Sequence, residues 1–234
     1  MTELYELLEV VGKLNEEFKS KKDFNVFEAI RFRNQEIMHS KLIGTLLNPK
    51  GQHKKGDAFL KLFLKLTGFS DFNINSVTIE IERQAEKRWI DITVENEDEI
   101  LIIENKIEAK DQPAQLEDYY KFCKNKNKKV EVLYLTRYGN YPSDYSLGAT
   151  LKREDIKLIS YEKHIIPWIN ECSRDKEVKG RLKYSLEMYH EILQTAINRS
   201  QYMNEIFEEL KTNKSNLKLA IDIASTLQGR NYIK

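Results

Sequence analysis

The stretch RWIDITVENEDEILIIENKI, residues 88–107, restricts what this chain can fold into more than any other. Ile90, Ile92 and Val94 alternate with Trp89, Asp91 and Thr93, the period of a strand with one apolar face. Ile100, Leu101, Ile102 and Ile103 form an unbroken apolar run, as expected of a strand buried on both sides. The acidic segment between them reads as a turn. The second strand then runs into Glu104, Asn105 and Lys106. Charge at the end of a buried strand is costly unless it is paired or coordinated.

A turn centred between Glu97 and Asp98 sets Asp91 opposite Glu104. Side chains facing each other across antiparallel strands have Cβ atoms about 4.5–5.5 Å apart, and like charges so placed repel. A divalent cation between the two carboxylates converts that repulsion into binding. Lys106, two residues on, shares the face of Glu104. The plainer competing reading is a surface hairpin whose charges are solvated or ion-paired.

Bulk properties exclude more than they reveal. Lys and Arg number 38 against 37 Asp and Glu, so the net charge of +1 does not advertise a polyanionic partner. Any nucleic-acid site must therefore be a local patch. Cys123 and Cys172 make no disulfide framework and fit buried thiols in a reducing compartment. The chain opens on no leader-like segment and contains no apolar run of membrane-spanning length. A cytoplasmic protein without a membrane partner is expected.

Leu4, Leu7, Leu8, Val11, Leu14 and Phe18 recur at helical spacing and predict an amphipathic helix over residues 2–19. A second helix is predicted over residues 25–47, its apolar face drawn from Phe27, Ile30, Ile37, Ile43 and Leu47, ending at Asn48-Pro49. Glu36, His39 and Ser40 make a polar cluster on one side of it. The basic, glycine-rich loop that follows offers Lys50, His53, Lys54 and Lys55 as phosphate contacts. Asp57 and Gly68 bracket a helix over residues 58–67.

Residues 77–84 alternate as a strand. Asp111-Gln112-Pro113 reads as the cap and first turn of a helix that places Gln115 and Tyr119 one turn apart. Lys121, Lys124, Lys126, Lys128 and Lys129 crowd its end as a second basic segment. Residues 130–136 form an interior strand and residues 158–161 a short last one. From Glu162 onward the pattern is helical, with two final helices within residues 202–227.

Helix, three strands, helix and strand in this order resemble the PD-(D/E)XK nuclease superfamily. The likeness covers roughly residues 24–137. It is nearest to a bacterial group with Glu followed by His-Ser on a helix, a Leu-Asn-Pro helix end, and Asn between the motif acid and lysine. Asp91 matches the first motif aspartate, Glu104 and Lys106 match E-x-K, and Glu36 matches the acid of the preceding core helix. Gln115 with Tyr119 resembles the Q-x-x-x-Y motif. One departure is Ile90, which stands at the nominal proline.

The resemblance implies an α/β (α+β) restriction-endonuclease-like core, αβββαβ, with a mixed sheet of four to five strands and extra N- and C-terminal helices. The expected organisation is a core with its N-terminal helix over residues 1–160 and a helical extension over 161–234. The implied activity is metal-dependent hydrolysis of phosphodiesters, with DNA favoured over RNA. One or two Mg²⁺ or Mn²⁺ ions would be held by Asp91, Glu104, the Asn105 carbonyl and Glu36.

Lys106 would orient the attacking water, with Gln115 bonding that water or Lys106 and Tyr119 bracing the shell. His39, Ser40, His53, Lys54, Lys55, Lys126 and Lys128 are the substrate-binding candidates. The competing function is a catalytically silent module of the same fold, binding nucleic acid or protein through its basic loops and helical tail. That tail is also the candidate surface for a protein partner or a homodimer. Retention of Asp91, Glu104 and Lys106 together favours the enzyme.

Overall fold

Five strands, β1 (Thr78–Ala85), β2 (Arg88–Glu95), β3 (Glu99–Lys106), β4 (Lys129–Thr136) and β5 (Ile156–Ser160), form one mixed sheet in sequential order. The first three make an antiparallel meander, and β4 and β5 add parallel to β3. In this computed structural model, residues 24–212 and Lys218 are described, with side chains for 24–197 and 218. The helix expected over residues 2–19 lies outside them, as does what was expected of residues 219–227.

The β2–β3 register is the one that the acidic turn predicts: Ile92 pairs with Ile103 and Glu95 with Ile100. The ladder stops at Ile92, one residue short of Asp91 and Glu104. The alternation of β2 also breaks there. Ile92 and Val94 pack into one apolar cluster with Leu101 and Ile103, whereas Ile90 packs into the other with Ile100 and Ile102. Sequence periodicity put all three on one face. Instead, Asp91 turns into the opening between the strands, where its Oδ2 accepts the Asn105 N–H at 2.8 Å. Glu82, on β1 beside this break, has a left-handed backbone, with φ 51°.

Helices cover both sheet faces. α1 (Val26–Ala29), α2 (Glu36–Leu47), α3 (Ala58–Thr67), α6 (Ile166–Arg174) and α7 (Gly180–Thr212) contribute to the larger apolar cluster. α4 (Gln115–Lys124) and α5 (Asp144–Leu147) serve the smaller one. Gly44 of α2 marks the closest approach of helix to sheet: a Cβ there would lie 2.5 Å from the Ile81 Cγ1. Trp168 is fully buried and donates its indole N–H to the Phe59 carbonyl at 2.9 Å, tying α6 to α3.

Tyr161, Ile165, Trp168, Tyr189 and Leu193 belong to the same cluster as the sheet residues. Val26–Ile197 forms one compact unit, which takes in α6 and the first part of α7. No helix among the described residues is long and apolar enough to cross a membrane.

The continuous helix expected over residues 25–47 is broken. Arg31 is left-handed with φ 54°, a 3₁₀ turn spans Phe32–Asn34, and α2 starts only at Glu36. The Gln35 side-chain amide donates to the Ile30 and Arg31 carbonyls, satisfying groups that a helix would have used internally. Ile30 and Ile37, assigned to the apolar face by spacing, are about half exposed in consequence. Asp111 is not a helix cap either: α4 begins at Gln115, and Asp111 instead accepts from the Tyr134 hydroxyl and the Ser143 N–H.

Candidate active site

Because β3 and β4 run parallel, Glu104 and Lys106 sit at the same end of the sheet as Tyr134 and Thr136. Asp91 arrives at that end from the antiparallel neighbour. Glu36 arrives at the first turn of α2, and Gln115 at the first turn of α4. Five separately encoded segments thus converge on one sheet end, and Asp91 and Glu104 lie close enough for the Asp91 charge to act on the Glu104 carboxyl.

Glu104 is 2% exposed. Its Oε1 accepts from the Lys106 ammonium at 2.7 Å and from the Gln115 amide at 2.8 Å. Its Oε2 is buried with no hydrogen-bond partner. The Gln115 amide also donates to the Tyr119 hydroxyl at 3.0 Å, which in turn donates to the Trp89 carbonyl at 2.6 Å. Gln115 therefore fixes Glu104 rather than Lys106, and Tyr119 locks that arrangement to the start of β2.

Burial, and then the Asp91 charge, push the Glu104 carboxyl up to about 8. Burial likewise pushes Asp91 up to about 6, against the pull of the Asn105 N–H and the Lys106 cation. The pair titrates as one coupled unit that resists full ionisation near neutrality. Burial also disfavours the Lys106 cation, but Glu104 and then Asp91 outweigh it and raise the ammonium above its ordinary value.

These features fit a hard divalent cation. An orphaned carboxylate oxygen, two acids held close against repulsion and a carbonyl on the same edge form a suitable oxygen donor set. The Asn105 N–H faces Asp91, and a strand residue turns its carbonyl to the same edge as its N–H. Among the described residues no three His, Cys, Asp or Glu side chains converge on one point. The donor set is thus two carboxylates and a carbonyl, which suits Mg²⁺, an ion that keeps several waters and needs one or two carboxylates.

Glu36 was expected to join that set, and its geometry gives it another task. Its Oε1 accepts three successive backbone N–H groups, from Ile107 at 2.7 Å and from Glu108 and Ala109 at 2.8 Å. It clamps the segment that leaves Lys106. Glu36→Ala should therefore speed amide exchange at residues 107–109 by more than about tenfold, since bonds to a charged acceptor contribute about 1.5–3 kcal/mol each. Unchanged protection in a hydrogen-exchange experiment would contradict the clamp.

His39 and Ser40 do not face a substrate. They are 1% and 0% exposed. His39 bonds the Tyr189 hydroxyl at 2.9 Å and the Arg33 carbonyl at 3.0 Å, and burial pulls its imidazole down to about 4, keeping it neutral. Ser40 donates to the Glu36 carbonyl and accepts from the Asn105 amide at 3.1 Å.

Asn105 is the member whose side chain sequence reasoning missed. It also donates to the Glu36 carbonyl at 3.1 Å and accepts from the Tyr161 hydroxyl at 2.9 Å. Arg88 was missed as well: it reaches Gln112, the Pro113 carbonyl and Asp118, holding the approach to α4 against β2. A polar residue directly after a motif acid at a buried strand end was the available signal for Asn105.

The predicted basic segments lie elsewhere. Lys126 and Lys128 pair with Glu95. Lys129 is opposite Glu99, at the end of β3 that lies about 16 Å from Glu104 at 3.3 Å per strand residue. The 50–55 loop follows the far end of α2, about 16 Å along the helix from Glu36. There Lys55 pairs with Asp175, and His53 bonds the Asn48 carbonyl and stacks on Phe59. Lys54 sits in a left-handed turn, with φ 57°. The physical reason is topological: neighbours along the chain were carried to the wrong end of the sheet.

The acid pair also sets a pH dependence. Both carboxyls hold protons in the folded, metal-free protein that the unfolded chain has released. Their contribution to stability therefore falls as pH rises from about 4 toward 8 and levels off beyond. Cation binding must displace those protons, so Mn²⁺ affinity should rise across the same interval. Calorimetric titration at several pH values checks this, and an affinity independent of pH between 6 and 8 would contradict it.

No curated protein and no solved structure matches the chain. A family model described as the PD-(D/E)XK nuclease superfamily matches residues 24–191. The match takes in all five strands and every residue of the carboxylate cluster, and the chain belongs to the PD-(D/E)XK nuclease superfamily.

Proposed function

We propose that this protein hydrolyses phosphodiester bonds of nucleic acid, DNA in preference to RNA, with Mg²⁺ or Mn²⁺ bound at Asp91, Glu104 and the Asn105 carbonyl. The observation that carries this reading is the Asp91–Glu104 pair, Glu104 buried and Asp91 half-buried, with the Glu104 Oε2 orphaned while its Oε1 holds the Lys106 ammonium. A divalent cation bound there supplies a water of lowered pKa and positive charge for the phosphorane-like transition state.

The chain's own residues do the rest. Lys106, held protonated by its two acidic neighbours, serves as a fixed positive charge and donor toward the scissile phosphate rather than as a base. Gln115 and Tyr119 keep the Glu104 carboxylate in one orientation, which matters because small misplacements of a reacting group are costly. Glu36 fixes the backbone that follows Lys106 and so limits where the ammonium can swing.

The test is incubation of the protein with single- and double-stranded DNA and RNA, in Mn²⁺ and in EDTA. Cleavage of DNA in Mn²⁺ alone is expected. Protein that binds Mn²⁺ yet cleaves none of these would contradict the proposal.

A further inference from the structure

With both lysine segments remote from the carboxylates, another group of cations must hold the substrate at the working end of the sheet. Arg137 follows β4 directly, next to Thr136, which pairs with Lys106. Its guanidinium donates to Glu108 at 2.9 Å and reaches Asn34 at 3.5 Å, while its Nε is buried with no hydrogen-bond partner. Asn34 also lines a cleft of about 380 Å³ with Glu28, Arg31, Phe32, Arg33 and Ile192. This cleft opens immediately before α2, whose first residue is Glu36.

We propose that Arg33 and Arg137, on either side of Asn34, grip a backbone phosphate of the nucleic-acid strand adjacent to the bond that is cut. This rests on the hydrolysis reading above. Arg33 pairs with Glu28 at 3.3 Å, and Arg137 with Glu108, whose side chain is 53% exposed. Ion pairs this exposed contribute little and exchange readily. A phosphate offers a guanidinium two oxygens in the geometry of its fork, and so displaces a single glutamate contact. Glu28 and Glu108 then occupy the arginines only while substrate is absent. Arg31 adds charge at the rim from a left-handed backbone, a conformation of the kind that clusters at ligand sites.

The site reads no sequence. It contacts phosphate only, so it contributes affinity and register along the strand without base recognition. Residues 30–35 run directly into Glu36, which holds the 107–109 segment through its carboxylate and receives the Asn105 amide at its carbonyl. Binding at the cleft and placement of Lys106 are thus set by one piece of backbone.

The test is fluorescence anisotropy with a short fluorescein-labelled DNA, with Ca²⁺ in place of Mg²⁺ and across a range of salt. Arg33→Ala/Arg137→Gln should bind at least about tenfold more weakly, with the log–log salt slope on duplex reduced by about 0.9 for the one phosphate no longer neutralised. Lys126→Ala/Lys128→Ala should match the wild type in both. Glu28→Gln/Glu108→Gln removes the competing carboxylates and should tighten binding, a readout that survives if the arginine variant folds poorly. Wild-type affinity and slope in the arginine variant, or unchanged affinity in the glutamate variant, would overturn the cleft alone. A wild-type protein that binds no nucleic acid would overturn the cleft and the hydrolysis reading together.

Discussion

Asp91→Asn should lower metal-dependent hydrolysis by about a thousandfold or more while leaving the fold intact. The amide oxygen still accepts the Asn105 N–H that Asp91 accepts at 2.8 Å, so the opening between β2 and β3 keeps its hydrogen bond. What disappears is one of two charges available to hold a cation. Losing an interaction required in the transition state lowers turnover rather than substrate binding. Without metal, the variant should melt no lower than the wild type at pH 8, because one source of carboxylate repulsion is gone. Asp91→Ala is a harsher change: it leaves the Asn105 N–H without an acceptor, at about 1–3 kcal/mol. Turnover and thermal melting of the two variants separate charge from packing. Full activity in Asp91→Asn would remove Asp91 from the cation site.

Asn105→Leu should destabilise the protein by about 2–4 kcal/mol, although the two side chains share the same number and branching of heavy atoms. Asn105 is 1% exposed, and its amide joins Ser40, the Glu36 carbonyl and Tyr161. Leucine leaves the Tyr161 hydroxyl without its acceptor and removes a donor from the Ser40 hydroxyl oxygen and the Glu36 carbonyl. The damage should spread to α2 and to the turn at Tyr161–Ile165, since this side chain is where β3 is tied to both. Urea denaturation measures the effect. A loss below about 1 kcal/mol would mean that the network is dispensable.

The two predictions draw on opposite faces of one strand end. Glu104 and Lys106 point toward α4, where Gln115 and Tyr119 fix the acid. Asn105 points toward α2, where Ser40 and the Glu36 carbonyl receive it. The alternation of a β-strand thus separates a charged, reactive side from a neutral, supporting one.

That alternation also explains what was legible beforehand. Residues 100–103 had to be buried on both faces, and the acidic turn left one register, so Asp91 and Glu104 were brought together by local rules alone. Gln115 and Tyr119 followed from one helical turn of spacing. The break between α1 and α2 was not readable, because Arg31 takes a left-handed backbone without glycine, and the amide of Gln35 that stabilises it looks like any helix residue. Ile90 was placed on the wrong face because the switch at Asp91 depends on an acceptor reaching across to β3.

The position of the lysine segments was not legible for a different reason. Charge clustering is local in sequence, whereas its position depends on which end of the sheet each connection reaches. Glu95 and Asp175, which pair with Lys126, Lys128 and Lys55, belong to other elements. Glu36 lies between these cases: its location was legible, but its three backbone partners arise only once the segment after Lys106 curls over α2.

The measurement that bears most directly on the account is calorimetric titration of Mn²⁺ into the wild type and into Glu104→Gln at pH 8. Saturable binding to the wild type, lost or weakened at least about tenfold in the variant, is the predicted result. Equal binding by both proteins would place the cation elsewhere and leave the Asp91–Glu104 pair without the role assigned to it.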